Sequence, residues 1–371
     1  MPTNTHLAAD HGGNPFKSAA AFQGIPHSGE SRRFQHRPLP ALVADNGDLG
    51  GGRGGVHCGD TDDYGISGGS GVPRCEVSQT RDTPLPADAV ARLANPQRLA
   101  HYRAMRREVG AEIEVEILAP TTLEFQIAVA PHPRTEVFES LCFVLNGRPV
   151  EPLEVSGVHG NRIHKFDAAV GVLKVDYAAT IVGHTDPAPV TEYDLSMYLR
   201  PSRYAEADKF YGFAATEFGN DVEPAMLLEH VSSWVGTRLN YVPGSSDPID
   251  GAVDTLLAGE GVCRDYAHLV VALLRAVNVP ARLVSVYAPG LYPMDFHAVA
   301  EAFVDGQWRV VDATLLAPRQ SLVRIATGRD AADTAFLDNH KGAITLNRLT
   351  VTAVVDGDLP WDSIDRLVSI R

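Results

Sequence analysis

Residues 259–277 read Gly259-Glu260-Gly261-Val262-Cys263-Arg264-Asp265-Tyr266-Ala267-His268-Leu269, then Val270-Val271-Ala272-Leu273-Leu274-Arg275-Ala276-Val277. The apolar run from Cys263 predicts a helix over 263–277, stopped by Asn278 and Pro280. Gly259 and Gly261 leave the backbone free just before it. Cys263 therefore falls on the first turn, among backbone N–H groups that have no intrahelical partner. Those donors and the positive end of the helix macrodipole favour a thiolate, and the same donors suit an oxyanion. A lone cysteine at a helix start is ordinarily structural. The chemistry depends on a base and an orienting acid being within reach.

Both lie downstream. Three strand patterns follow the helix, at 281–288, 297–304 and 307–313. Asp305-Gly306 between the last two is a strong hairpin signal. If Val304 pairs with Gln307, His297 faces Thr314 and Asp312 faces Val299. Asp312 is then the diagonal neighbour of His297 on one face of the hairpin, about 7–8 Å away at the backbone. That separation suits an imidazole held in one tautomer by a carboxylate, its other nitrogen turned to Cys263. Taken singly, His297 reads as a satisfied strand histidine and Asp312 as a turn residue. The spacing of all three residues is what points to catalysis.

Upstream of the quoted stretch, Glu223-Pro224 opens a helix whose Leu227, Val231, Trp234 and Val235 share one face. Before that, residues 112–118 and 122–129 alternate polar and apolar, and 142–145, 160–166 and 171–181 continue in strand style, with Asn146-Gly147 as a turn. Helices followed by strands predict an α+β core preceded by a small β domain. Three domains are expected: an extension at 1–104, a β domain at 105–198 and a catalytic domain at 199–371. The extension is dense in Gly, Pro, Ser and Asp, which predicts disorder; a true start near Met105 is the other reading. Gly65-Ile66-Ser67-Gly68-Gly69 and the G-x-G-x-x-G match at 50–55 lack the flanking strand and helix that such motifs need, so neither is taken as functional.

The formal charge of -14 argues against nucleic acid as a partner and against anionic membrane surfaces. Four cysteines without C-x-x-C spacing make no disulfide framework, although a Cys58–Cys75 bridge stays open. No basic and apolar leader and no apolar run of about 18 residues appears, so a cytoplasmic location without a membrane span is expected.

The segments GEGVCRDYAHLVVALLRAVNVPARLV and DFHAVAEAFVDGQWRVVDAT resemble the transglutaminase-like superfamily, over about residues 199–320. The β region from 105 is similar to the N-terminal module of bacterial members. The resemblance implies a papain-like core, a helix with an N-terminal cysteine packed on an antiparallel sheet. It implies Cys263 as nucleophile, His297 as general base and acid, and Asp312 as orienting carboxylate. Tyr241 is a candidate second oxyanion donor, with a core aromatic as its plainer reading. The expected activity is acyl transfer from a protein or peptide amide through a thioester, with no cofactor and no metal. The sequence leaves open hydrolysis or transamidation. Two other functions compete: a non-catalytic interaction module that keeps the fold, and a metal site on Cys263, His297 and Asp312. The metal site lacks the closely paired ligands most such sites use. His268 lies five residues after Cys263 and off its face. Arg264 and Asp265 read as local ion pairs or caps, and Trp308 as hairpin packing.

Overall fold

The alternation read at 112–118 belongs to a longer strand. The computed structural model describes residues 106–183, 186–219 and 222–371. The predicted extension, Met105, Cys58, Cys75 and both rejected glycine motifs lie outside the described residues. In chain order the elements begin with β1 (Arg106–Ala119), β2 (Thr121–Phe125), β3 (Glu136–Leu145), β4 (Arg148–Val150), β5 (Leu153–Ser156), β6 (Arg162–Ala168) and β7 (Gly171–Val182). Next come α1 (Glu192–Met197), α2 (Tyr211–Phe218), α3 (Pro224–Arg238), β8 (Asn240–Tyr241), α4 (Ala252–Ala258), β9 (Glu260–Gly261) and α5 (Cys263–Ala276). Last are β10 (Ala281–Tyr287), β11 (Phe296–Val304), β12 (Gln307–Val311), β13 (Val323–Gly328), β14 (Leu337–His340) and β15 (Ala343–Val355). Mixed α and β elements around a helix on an antiparallel sheet make this an α+β fold.

Two sheets build the β region, in the orders β15-β1-β7-β3-β4 and β14-β2-β6-β5. Alternate residues of β1 (Val109, Ala111, Ile113, Val115 and Ile117) are buried with Leu123 and Phe125 of β2, as a period of two demands. The region is completed from the far end of the chain. Residues 337–355, which the sequence placed in the catalytic domain, supply β14 and β15, which pair with β2 and β1. The β region is thus not a continuous stretch of chain. Asn146 (φ 51°) and Gly147 (φ 78°) make the β3–β4 turn at the predicted dipeptide.

A third sheet, β12-β11-β10-β13, carries α5 on one face. All fourteen residues of α5 and all seven of β10 are buried. Helices α2 and α3 cover the other side of α5, while the β region packs against β10, β11 and β13 through Tyr287, Phe296, Val323 and Ile325. Such a sheet reads as nearly continuous hydrophobic sequence because neither face meets water. Charges inside it must be paired. Arg282 lies opposite Glu301 across the β10–β11 ladder, and Glu301 also binds Arg324 at 2.6 Å. Trp308 packs the hairpin as expected, 5.6 Å from the Phe303 ring and 3.9 Å under the Arg282 guanidinium. Among the described residues no helix is long and apolar enough to cross a membrane.

Candidate active site

The helix start forms as read, with Cys263 the first residue of α5. Gly259 ends α4 in the left-handed conformation, φ 68°, which costs glycine nothing. The chain then runs as β9 beside β8, pairing Gly261 with Tyr241 in parallel. Asp265 caps the helix by accepting from the Val262 N–H at 2.8 Å. Arg264 binds the same carboxylate at 3.1 Å and reaches out to the Asp247 carbonyl at 2.7 Å and the Ser246 hydroxyl. Both residues are caps and local ion pairs, as the sequence implied. Together they fix the turn that presents Cys263.

The hairpin register also forms as read, Val304 opposite Gln307. Its consequence is a buried ion pair: Nε2 of His297 lies 2.8 Å from Oδ2 of Asp312, with 0% and 2% of the side chains exposed. Oδ1 of Asp312 accepts from the Thr314 hydroxyl at 2.7 Å and from the Thr314 N–H at 2.9 Å. Every lone-pair direction needed to fix this carboxylate is taken. Burial alone would disfavour a charged imidazole, yet the Asp312 charge and hydrogen bond, helped by Cys263, raise His297 to about 10. Burial likewise opposes an ionised Asp312, and His297 and Thr314 outweigh it, holding the carboxyl below its usual range. Nδ1 of His297 makes no hydrogen bond of good geometry, but the Cys263 sulfur is close enough to support its charge.

Cys263 is 5% exposed and packs with Ala267, Leu283 and Ala298, the residue after His297. The Cys263 N–H donates to the Tyr241 hydroxyl. Burial, then Cys263 and Asp295, push the Tyr241 hydroxyl's pKa upward, so it stays a neutral donor. The structure therefore brings all four sequence-predicted residues together: cysteine, histidine, aspartate and tyrosine. Among the described residues, no three His, Cys, Asp or Glu side chains form a group able to hold a metal ion.

A model of the transglutaminase-like superfamily matches residues 214–313. A solved structure from Cytophaga hutchinsonii, described as a candidate cysteine protease, is 32% identical with a TM-score of 0.65; the match covers 71% of this chain and 96% of that one. The chain belongs to the transglutaminase-like superfamily. Among curated relatives, an uncharacterized Mycobacterium leprae protein is 26% identical over 150 residues, 38% of this chain and 53% of that protein. An uncharacterized Mycobacterium tuberculosis protein is 31% identical over 122 residues, 27% of this chain and 39% of that one. The chain thus spans about half the length, or less, of these curated relatives.

Within this transglutaminase-like core, two site residues escaped the sequence reading. Thr314 was placed only as the residue facing His297, and its bonds to Asp312 arise after the ladder ends, where period-two reasoning stops. Ser246 gave no signal, because only Arg264 joins it to the helix start. His268 proves remote in role: it is buried, stacks 5.3 Å from Tyr204, and accepts from the Ala331 N–H at 3.1 Å. Burial, reinforced by Arg264, Arg275 and Arg203, pushes its pKa well down, so this ring is neutral and structural.

Proposed function

We propose that this chain is a thiol-dependent acyl-transfer enzyme acting on a protein or peptide amide. Cys263 is the nucleophile, His297 the acid and base, and Asp312 the orienting carboxylate. The observation that carries this reading is the buried His297–Asp312 pair at 2.8 Å beside a cysteine at a helix N-terminus. In the first half-reaction the Cys263 sulfur attacks the amide carbonyl carbon. In the resting site the Cys263 N–H donates to the Tyr241 hydroxyl; the oxyanion that forms takes the place of that bond, accepting from the N–H and from the hydroxyl. The His297 imidazolium gives its proton to the leaving nitrogen as the C–N bond breaks, leaving a thioester. Neutral His297 then takes a proton from water, the resulting hydroxide attacks the thioester, and the carboxylic acid and thiol are released. Hydrolysis is the outcome we favour over transfer to an amine, in keeping with the Cytophaga relative's description.

One observation favours a non-catalytic module instead: a thiol only 5% exposed is what a structural cysteine shows. The test is incubation of the chain with a denatured protein mixture in hydroxylamine. New amine termini and hydroxamates are read by mass spectrometry, with Cys263→Ala as control. Products that depend on Cys263 support the enzyme. Identical digests from both proteins would sink it.

A further inference from the structure

The hairpin and its neighbours gather their loops at one end of the third sheet. β10 ends and β11 begins there, and β12 ends and β13 begins there, so segments 288–295 and 312–322 flank the His297–Asp312 pair. Segment 359–363, beyond the residues matched by the family model, is fastened onto both. Leu359 lies against Gly290, where an added Cβ would come within 3.1 Å of it. The Arg319 guanidinium forks onto Asp362 with two bonds of 2.8 Å, and the Arg319 N–H adds a third at 2.9 Å. The Ser321 hydroxyl closes the assembly by donating to the Pro289 carbonyl at 3.0 Å.

These anchored segments hold large apolar groups out in solvent. Tyr292 is 90% exposed, Trp361 73%, Leu315 57%, Leu359 47% and Met294 43%, with Tyr241 at 40% beside Cys263. Met294 stands three residues before His297, and Leu315 three after Asp312. The Arg366 guanidinium lies 5.9 Å from the Trp361 ring centroid and leaves that ring largely in solvent. Apolar exposure on segments fastened to one another marks a place where something binds.

We propose that this wall is the subsite for a bulky apolar side chain next to the scissile amide, which makes the substrate an extended peptide segment carrying Leu, Met or Phe there. The assignment rests on Cys263 being the nucleophile, and its position beside the catalytic pair is what selects a substrate side chain as occupant. Tyr292 and Trp361 are specificity-determining residues in this scheme, and neither is part of the acid–base machinery.

The test uses the full chain and two probes, acetyl-Leu-Phe-chloromethyl ketone and acetyl-Gly-Gly-chloromethyl ketone. Alkylation of Cys263 is followed by intact mass, and each rate is divided by the rate with iodoacetamide. The Phe probe should win by roughly tenfold or more, the scale on which a hydrophobic pocket discriminates. Trp361→Ala and Tyr292→Ala should bring the two probes several-fold closer while the iodoacetamide rate and the melt stay unchanged. Equal rates for the two probes in the wild type would overturn the subsite. So would a preference that survives both substitutions, or a wild-type dimer that Trp361→Ala dissociates without altering the preference. Iodoacetamide that fails to single out Cys263 from Cys142 is a different failure: it removes the nucleophile itself, and the subsite with it.

Discussion

Asp312 sits where geometry and chemistry converge, so replacing it tests both. Asp312→Asn is isosteric and leaves the strand pairing, a matter of backbone groups, intact. It removes the charge that holds His297 at about 10 against burial, and an amide can turn the imidazole to the wrong tautomer. The same change in a serine triad costs about 10⁴ in rate. A thiolate–imidazolium pair leans on the acid less, so we expect a loss in kcat/KM of roughly 10 to 10³. Thr314→Val should cost only several-fold, because the Thr314 N–H still holds Oδ1 of Asp312 at 2.9 Å. Steady-state rates on one peptide rank the pair, and the reverse ranking would contradict the assignment. The pH profile adds a second readout. An imidazolium with a raised pKa keeps its proton through neutrality, so the alkaline limb of kcat/KM should fall near pH 10. In Asp312→Asn burial wins, and the limb should move down into the neutral range. The sign for stability is the same. The charged pair contributes fully between about pH 4, the ordinary aspartate value, and about pH 6.5, the ordinary histidine value; the contribution falls away in acid as Asp312 protonates and is lost again as pH rises toward 10. Melting temperatures of the two proteins should therefore converge above pH 10.

At the level of elements, the close approach of α3 to the β12 end deserves a mutation of its own. A Cβ added at Gly236 would lie 2.7 Å from the Ala313 carbonyl oxygen, between Asp312 and Thr314. Alanine is the better helix former by about 1 kcal/mol. Here overpacking against a backbone atom should outweigh that gain, for a net loss of about 1–2 kcal/mol. Denaturant unfolding of Gly236→Ala measures it, and a more stable variant would show that α3 yields without strain. The elements that carry Cys263, His297 and Asp312 were legible because each is fixed locally. Glycines and Asn278 bracket α5, and the Asp305-Gly306 turn sets the β11–β12 register. Helices α1, α2 and α4, of 6, 8 and 7 residues, were missed. Such lengths give the 3.6 period too few turns to show. Tyr241 was named, but its place comes from a two-residue parallel ladder with Gly261, a pairing no local pattern announces.

Across the whole molecule, the part least legible in the sequence was the return of the chain to its own beginning. Residues 343–355 alternate visibly as a strand, yet nothing within them says that β1, more than two hundred residues earlier, is the partner. That pairing has a consequence for truncation. β15 lies along twelve residues of β1, and Ile344, Leu346 and Leu349 of β15 pack on the same core as Val115 and Leu173. Without β15, strand β1 becomes an edge, and its buried alternate residues lose cover on one side. That core also holds Tyr287 and Phe296, which end β10 and begin β11 beside His297. Loss of the C-terminal strand should therefore loosen the third sheet, which carries His297, as well as the β region. A chain ending at residue 342 is expected to lose its cooperative melt, or to melt far below the full chain. A chain lacking residues 1–104, by contrast, is expected to melt as the full chain does, because β1 begins only at Arg106. Calorimetry on the two truncations decides the matter. A shortened chain ending at 342 that kept a single wild-type transition would show that the third sheet folds without the region it packs on.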